Sequence, residues 1–237
     1  MKNPMKTPFF AAVSAIIRKD LQAEFRSREL VSSMGLFALL SILIFSFALE
    51  LDRVARVEVV SGVLWVTIVF SSILGLNRSM GLERDQGSLE GLLIAPIDRG
   101  AIFVGKLAGN FLFTLIVGAV LLPLMTVLYN ITLVTPTLIL TLLLGTLGFA
   151  TIGTLLAAMT VQTRSREALL PIVMMPVALP LLLVVVHTST SIVNVAPEES
   201  WLPFLQILAV LDVVSVSYTH LRAHETKANL VCRLLLE

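Results

Sequence analysis

The sequence predicts an all-α fold, a polytopic bundle of membrane-spanning helices preceded by an interfacial amphipathic helix. Of its 237 residues, 57% are hydrophobic and 14% are charged, and the mean hydropathy is +0.94. An ordinary soluble domain has roughly 45–50% apolar and about 25% charged residues. The composition therefore excludes a soluble enzyme, a disordered chain and a nucleic-acid-binding protein with a basic face.

Uncharged apolar runs mark the predicted spans, because a helix needs about 20 such residues to cross the hydrocarbon layer. Five runs have this length and lack Asp, Glu, Lys and Arg: 31–49, 59–76, 107–129, 131–161 and 168–186. A sixth run starts at Trp201, ends near Val216 and is interrupted by Asp212, which predicts a truncated span. Pro136 is expected to open the fourth helix, since proline suits a first helical turn.

Basic residues are concentrated on one side of these spans. Segments 1–30, 77–106 and 162–167 contain twelve Lys or Arg residues, whereas the other connections between spans contain two. Positively charged loops are retained in the cytoplasm. The asymmetry therefore predicts a cytoplasmic N-terminus and a cytoplasmic 77–106 loop.

The N-terminal segment 9–30 has the spacing of an amphipathic helix. Its apolar residues recur every three or four positions and so share one helix face: Phe10, Val13, Ile17, Leu21 and Phe25. Because the segment runs directly into a span, we interpret it as a helix lying in the membrane interface. A cytosolic helix with solvated charges is the alternative.

The middle of the 77–106 loop predicts a short helix with an apolar stripe. Leu89, Leu92 and Leu93 are spaced three and four apart, Asp85 is a candidate cap at its start, and Pro96 ends it. The loop contains nothing large enough to bury these leucines. They require the bilayer surface or a groove on another protein.

Residues 83–96 read ERDQGSLEGLLIAP, and Lys106 follows. This stretch, together with GVLWV at 62–66 and the six-span plan, resembles the haem exporter protein B family over about residues 10–216. The resemblance implies a permease subunit of an ATP-binding-cassette complex in cytochrome c maturation, located in the bacterial inner membrane. It implies three partners besides lipid: an ABC ATPase subunit, a haem-handling membrane protein and a periplasmic haem chaperone. It gives no role to nucleic acid.

By the same resemblance, one segment of the loop forms the ATPase-coupling element: Asp85, Gly87, Ser88, Leu89, Glu90, Leu92, Leu93 and Pro96. The leucines would supply apolar contact, and the acids would pair with basic groups or cap the helix. Haem would be a transported or handed-over substrate, with no cofactor bound directly. The alternative is a solvated loop with a leucine patch facing the membrane.

Two further functions stay open at this point, an ABC-2-type exporter permease for lipid or drug and a non-transporting membrane scaffold for the ATPase. An enzyme is not expected, because no catalytic set or metal site is visible. No acid is expected deep inside a span, so a proton relay is unsupported. His187 is interpreted as a polar anchor in preference to a haem ligand.

The segment 100–106 has the G-x-x-x-x-G-K spacing of a phosphate-binding loop, but Leu107 stands where a Ser or Thr is required. We expect Lys106 to snorkel towards the membrane surface, and Gly105 and Gly109 to permit close helix packing. The predicted domains are therefore 1–30, 31–216 and an atypical tail at 217–237 that looks non-native. The tail contains Cys232 and the His220–His224 pair.

Overall fold

The computed structural model describes residues 8–48, 53–85, 91, 97–160, 166–195 and 200–217. This part of the chain has seven helices and no strand: α1 (Phe9–Ser27), α2 (Glu29–Ala48), α3 (Arg53–Asp85), α4 (Arg99–Tyr129), α5 (Pro136–Thr160), α6 (Arg166–Val193) and α7 (Ser200–Ser217). All but α1 are long and apolar enough to cross a membrane. The predicted all-α bundle with six spans is confirmed. The predicted tail, apart from Ser217, lies outside the described residues.

A sharp corner separates α1 from the first span. Arg28 adopts a left-handed conformation with φ of 54°, and its amide donates to the Glu24 carbonyl. The Glu24 carboxylate then accepts hydrogen bonds from the amides of Leu30 and Val31, at 3.2 and 2.8 Å. These bonds satisfy amides at the start of α2 that have no partner within that helix. The amphipathic helix therefore ends at Ser27, three residues before its predicted end.

The core forms around α3, the most buried of the spans, which contacts α2, α4, α5 and α6. Trp65 at its centre packs against Gly145 of α5, where any side chain would collide with the indole ring. The indole nitrogen donates a 2.8 Å hydrogen bond to Ser189 Oγ on α6. A buried tryptophan therefore joins three helices while its polar atom keeps a partner.

Several helices extend further than the predicted spans, and α4 begins at Arg99, eight residues before its predicted start. Helix α3 continues beyond residue 76 to Asp85, and α6 continues beyond 186 to Val193. In α6 the Thr188 hydroxyl donates to the Val184 carbonyl of its own helix, which accommodates a polar residue there. Charged and polar residues end an apolar run without ending a helix, so the predicted 77–106 loop is in fact the shorter connection 86–98.

The start of α5 agrees with the prediction for Pro136, which is its first residue. Thr135 Oγ1 accepts a hydrogen bond from the Leu138 amide and so caps the helix. Residues 131–135 are not helical, so the helix begins five residues after the start of the uncharged apolar run 131–161. The proline fixes the first turn, and the preceding apolar residues belong to the connection.

Candidate functional site

Most of the predicted coupling residues fall on a segment that the structure does not describe. Asp85, one of the eight predicted residues, is the last residue of α3. The other seven lie outside the described part: Gly87, Ser88, Leu89, Glu90, Leu92, Leu93 and Pro96. Gly91, which lies among them but was not predicted as a coupling residue, is helical and exposed. Their role in docking stays a prediction. The described residues at the two ends of this connection show what the segment is attached to.

Four charged side chains from three helices meet where α3 ends and α4 begins. The charge cluster consists of Lys19 and Asp20 of α1, Glu83 of α3 and Lys106 of α4. Lys19 Nζ lies 2.6 Å from Glu83 Oε1, and Lys106 Nζ lies 2.7 Å from Asp20 Oδ2. Lys106 also donates to Glu83 Oε1. Two cations and two anions balance one another, and the cluster ties the last turns of α3 to both neighbouring helices.

The centre of the charge cluster is buried. The Lys106 side chain is 6% exposed and that of Glu83 is 10% exposed. The prediction that Lys106 snorkels to the surface is wrong, because α1 crosses over this part of α4 and supplies Asp20 as a partner. A buried ion pair is costly to break, since removing one partner leaves an uncompensated charge. The geometry therefore favours concerted movement of the helix ends.

Lys19 occupies the open side of the charge cluster, with 44% of its side chain exposed. Burial alone lowers the pKa of the Lys19 ammonium. The hydrogen bond and charge interaction with Glu83, with smaller contributions from Asp20, outweigh burial and raise this pKa above its usual value of 10.5. Lys19 consequently stays charged, and paired with Glu83, throughout the physiological pH range.

Glycines on α4 let α1 approach closely enough for these pairs to form. A Cβ atom on Gly105 would lie 2.8 Å from Ile16 Cγ2, too close for any real side chain. A Cβ on Gly109 would lie 3.5 Å from Asp20 Oδ2, an ordinary contact. The prediction that small residues permit close packing at Gly105 is confirmed, and the helix that packs there is α1.

The outer face of α1 carries the two phenylalanines of the predicted apolar stripe. Phe10 is 84% exposed and Phe25 is 79% exposed, whereas Ala12 and Ile16 face the bundle and are buried. One face of the helix therefore packs on the bundle, and two large apolar side chains near its ends are left uncovered. Uncovered aromatic side chains suit a membrane interface, and the interfacial location of α1 stays a prediction.

The segment that resembles a phosphate-binding loop is a regular part of α4. Asp98 caps this helix by accepting a 2.9 Å hydrogen bond from the Gly100 amide. The Ala101 and Ile102 amides donate to the Asp98 carbonyl. These amides are used in forming the helix and do not converge on an open cradle, so the geometry does not support a nucleotide site.

His187 of α6 is exposed, and its ring packs edge-on against Phe204 of α7 with a centroid distance of 4.2 Å. The described residues contain no cluster of three or more His, Cys, Asp or Glu side chains that could hold a metal ion. The aromatic contact favours the anchor interpretation of His187. The His220–His224 pair lies outside the described residues.

Asp212 is a buried acid that the sequence reasoning did not treat as functional. It lies inside α7, is 3% exposed, and neither carboxylate oxygen has a hydrogen-bond partner within the described part of the chain. The expectation that no acid lies deep inside a span is therefore wrong. The signal was present in the sequence, since a charge that interrupts an apolar run can also lie within a continuous helix.

The sequence profile of the family described as CcmB protein matches residues 11–226, which is most of the chain. The chain belongs to the CcmB family. This confirms the resemblance to haem exporter protein B. The match includes all the spans and the charge cluster.

Several curated proteins named Heme exporter protein B are similar to the chain. The protein from Bradyrhizobium diazoefficiens is 27% identical over 206 residues, which cover 86% of this chain and 92% of the relative. That from Rhodobacter capsulatus is 28% identical over 172 residues, 71% of this chain and 78% of the relative. That from Haemophilus influenzae is 28% identical over 169 residues, 71% and 76% respectively.

Proposed function

We propose that the chain is the permease subunit of an ABC transporter complex that moves haem for cytochrome c maturation. The observation that carries this proposal is its membership of the CcmB family, together with relatives named as haem exporters over up to 86% of its length. The six apolar helices fit a membrane subunit. ATP hydrolysis then falls to a separate subunit, and haem is the cargo of the complex.

The coupling element of this complex is the connection between α3 and α4. Its leucine stripe (Leu89, Leu92 and Leu93) docks into a groove on the ATPase, which buries apolar side chains that the loop itself cannot cover. A helix of about two turns is marginal in water, so docking also orders it. Asp85 precedes this stripe and Glu90 follows Leu89 directly, and both acids pair with basic groups on the ATPase.

The charge cluster transmits movement of this element to the spans. Glu83 lies two residues before the end of α3 and is paired with Lys106 near the start of α4. Pulling on the connection therefore moves both helices and, through Lys19 and Asp20, also α1. Since α3 contacts four other spans, its displacement is felt throughout the bundle. By linkage, a bundle state that favours docking changes the nucleotide affinity of the ATPase.

The proposed orientation places the charge cluster on the cytoplasmic side of the inner membrane, and so also the N-terminus. Basic segments 1–30 and 77–106 meet in the charge cluster at one end of the bundle. Asn110 Nδ2 of α4 lies 3.5 Å from Thr154 Oγ1 near the end of α5. The basic segment 162–167 follows α5 directly, so it begins at the same end of the bundle as the charge cluster. This grouping supports the orientation that the charge asymmetry predicts. The haem-handling membrane protein and the periplasmic chaperone would act towards the opposite side.

Docking is tested by substituting Leu89, Leu92 and Leu93 with Asp and co-purifying the chain with its ATPase. We expect loss of the complex and of the ATP turnover that depends on it. Val134→Asp is the matched control, because Val134 is half exposed in the connection at the opposite end of the bundle. It should leave the complex intact. An undiminished complex in the triple variant would refute docking.

The cargo is tested by measuring release of haem to the periplasmic chaperone from vesicles that contain the assembled complex. Haem should appear on the chaperone only when ATP is hydrolysed. ATP-dependent movement of a lipid or drug without haem release would favour a general exporter. Haem release that persists in the triple leucine variant while the complex is lost would show that release does not depend on the docked ATPase.

A further inference from the structure

Asp212 lies at the level of the membrane centre. It is twelve residues from the start of α7, about 18 Å at 1.5 Å per residue. Its neighbour on α5 is Gly148, the thirteenth of 25 residues in that helix. Helix α7 is described for only five residues beyond Asp212, so the depth rests on α5, in which twelve residues, about 18 Å, lie on either side of Gly148. The carboxyl group is therefore far from either water layer, since the hydrocarbon core is about 30 Å thick.

The absent side chain of Gly148 makes room for this carboxyl group. A Cβ atom on Gly148 would lie 2.6 Å from Asp212 Oδ1 and 2.7 Å from Leu181 Cδ2 of α6. The acid is thus enclosed at a junction of α5, α6 and α7, with Leu208 one turn away on α7 and fully buried. The closeness of α5 and α7 at this point keeps the carboxyl group away from lipid and from water.

Among the residues that the structure describes, none with a positive charge lies on the helices around Asp212 at its depth. Helix α5 contains no Asp, Glu, Lys, Arg or His, and residues 168–193 of α6 contain only His187. That ring packs on Phe204, two turns of α7 away from Asp212. Residues 59–77 of the central helix α3 also lack charged side chains. An ionised carboxylate without a partner is strongly disfavoured in hydrocarbon, whereas the neutral acid removes the charge.

We propose that Asp212 is a proton-binding site at the membrane centre, closed by the contact of α7 with Gly148. When the helices separate and water enters, the acid ionises and transfers its proton to water, giving a carboxylate and a hydronium ion. When they close, the carboxylate takes up one proton. Opening and closing of the α5–α7 contact therefore releases and binds one proton. This site is separate from the charge cluster and from docking of the ATPase.

The protonation state is tested by infrared spectroscopy of the purified chain in lipid vesicles at neutral pH. A protonated carboxyl group has a carbonyl band distinct from that of a carboxylate. We expect this band in the unaltered protein, its loss in Asp212→Asn, and its retention in Asp98→Asn, which alters an acid at the membrane surface. Absence of the band in the unaltered protein, or its persistence in Asp212→Asn, would overturn the proposal.

The role of closure is tested with Gly148→Ala, whose methyl group would collide with Asp212 Oδ1 and Leu181 and so force the carboxyl group, or α7 with it, away from α5. Gly62→Ala is the matched control, because a Cβ atom there would meet nothing within 4 Å. Circular dichroism establishes that both variants stay helical. We expect Gly148→Ala to lose the protonated-carboxyl band at neutral pH and Gly62→Ala to keep it. A helical Gly148→Ala variant that retains the full band would overturn the link between helix contact and proton binding.

Discussion

Lys106 of α4 donates a hydrogen bond to the carboxylate of Glu83 at the end of α3, and both side chains are buried. The pair spans the two ends of the 86–98 connection. It anchors both ends of the proposed coupling element, since neither helix end can move without breaking the pair or carrying the other along. Asp20 and Lys19 link this anchored pair to α1.

Removing the negative charge of Glu83 should destabilise the contact between α3, α4 and α1. Glu83→Gln keeps the size of the side chain but leaves Lys106 with Asp20 as its remaining anionic partner. We expect the free energy of unfolding to fall by on the order of 3 kcal/mol, as when one member of a buried ion pair is removed. Unfolding in mixed detergent micelles measures this change.

The control is Glu29→Gln, which removes the ion pair between Glu29 and Arg78. Both side chains are 44% exposed, and an exposed pair contributes at most about 1 kcal/mol. Equal losses of stability in Glu83→Gln and Glu29→Gln would show that the buried cluster has no special role.

Filling the space at Gly105 should displace α1. The methyl group of Gly105→Ala would collide with Ile16, so we expect a loss of about 1–3 kcal/mol and greater mobility of α1. A spin label at Ser14→Cys, with Cys232→Ser to remove the native thiol, reports this mobility. Ser14 is exposed, so the label does not disturb packing.

A control variant and a compensating double variant test whether contact with Ile16 explains the effect of Gly105→Ala. Gly35→Ala meets nothing within 4 Å and should leave α1 in place. Combining Gly105→Ala with Ile16→Ala should recover part of the lost order, because the smaller side chain makes room for the added methyl group. Failure of this double variant to improve on Gly105→Ala would mean that contact with Ile16 does not position α1.

Alkaline pH should loosen α1 through Lys19. The pKa of this group is raised above 10.5 by Glu83 and Asp20, so its contribution to stability is complete below pH 10.5. That contribution is lost as the pH rises through the higher pKa of the folded state. The mobility of the Ser14 label should therefore increase above pH 10.5. Lys19→Gln should show a smaller increase, and identical pH profiles would contradict the assignment.

The spans could be predicted from the sequence because uncharged apolar runs of sufficient length have few other uses. Their ends could not, because helices continue through polar residues whose groups find partners. Glu83 and Thr188 illustrate this, the first paired with lysines and the second bonded to its own helix. Charge patterns locate the membrane boundary, while hydrogen bonding determines where a helix stops.

The charge cluster could not be predicted because its members are far apart in the sequence. Asp20 and Lys106 are separated by 86 residues, and only the packing of α1 on Gly105 brings them together. For Asp212, the sequence showed a charge inside an apolar run, but not that Gly148 faces it or that its carboxyl group is buried. Both findings depend on helix contacts that composition and periodicity do not encode.

The central claim is that the 86–98 connection lies in the cytoplasm and is covered by the ATPase. Gly91→Cys, in a Cys232→Ser background, places a single thiol at an exposed position of this connection. Val134→Cys serves as the control at the opposite end. We predict that an impermeant maleimide labels Cys at position 91 only from the cytoplasmic side, that bound ATPase protects it, and that position 134 is labelled only from outside. Labelling of position 91 from outside, or equal labelling with and without the ATPase, would contradict the account.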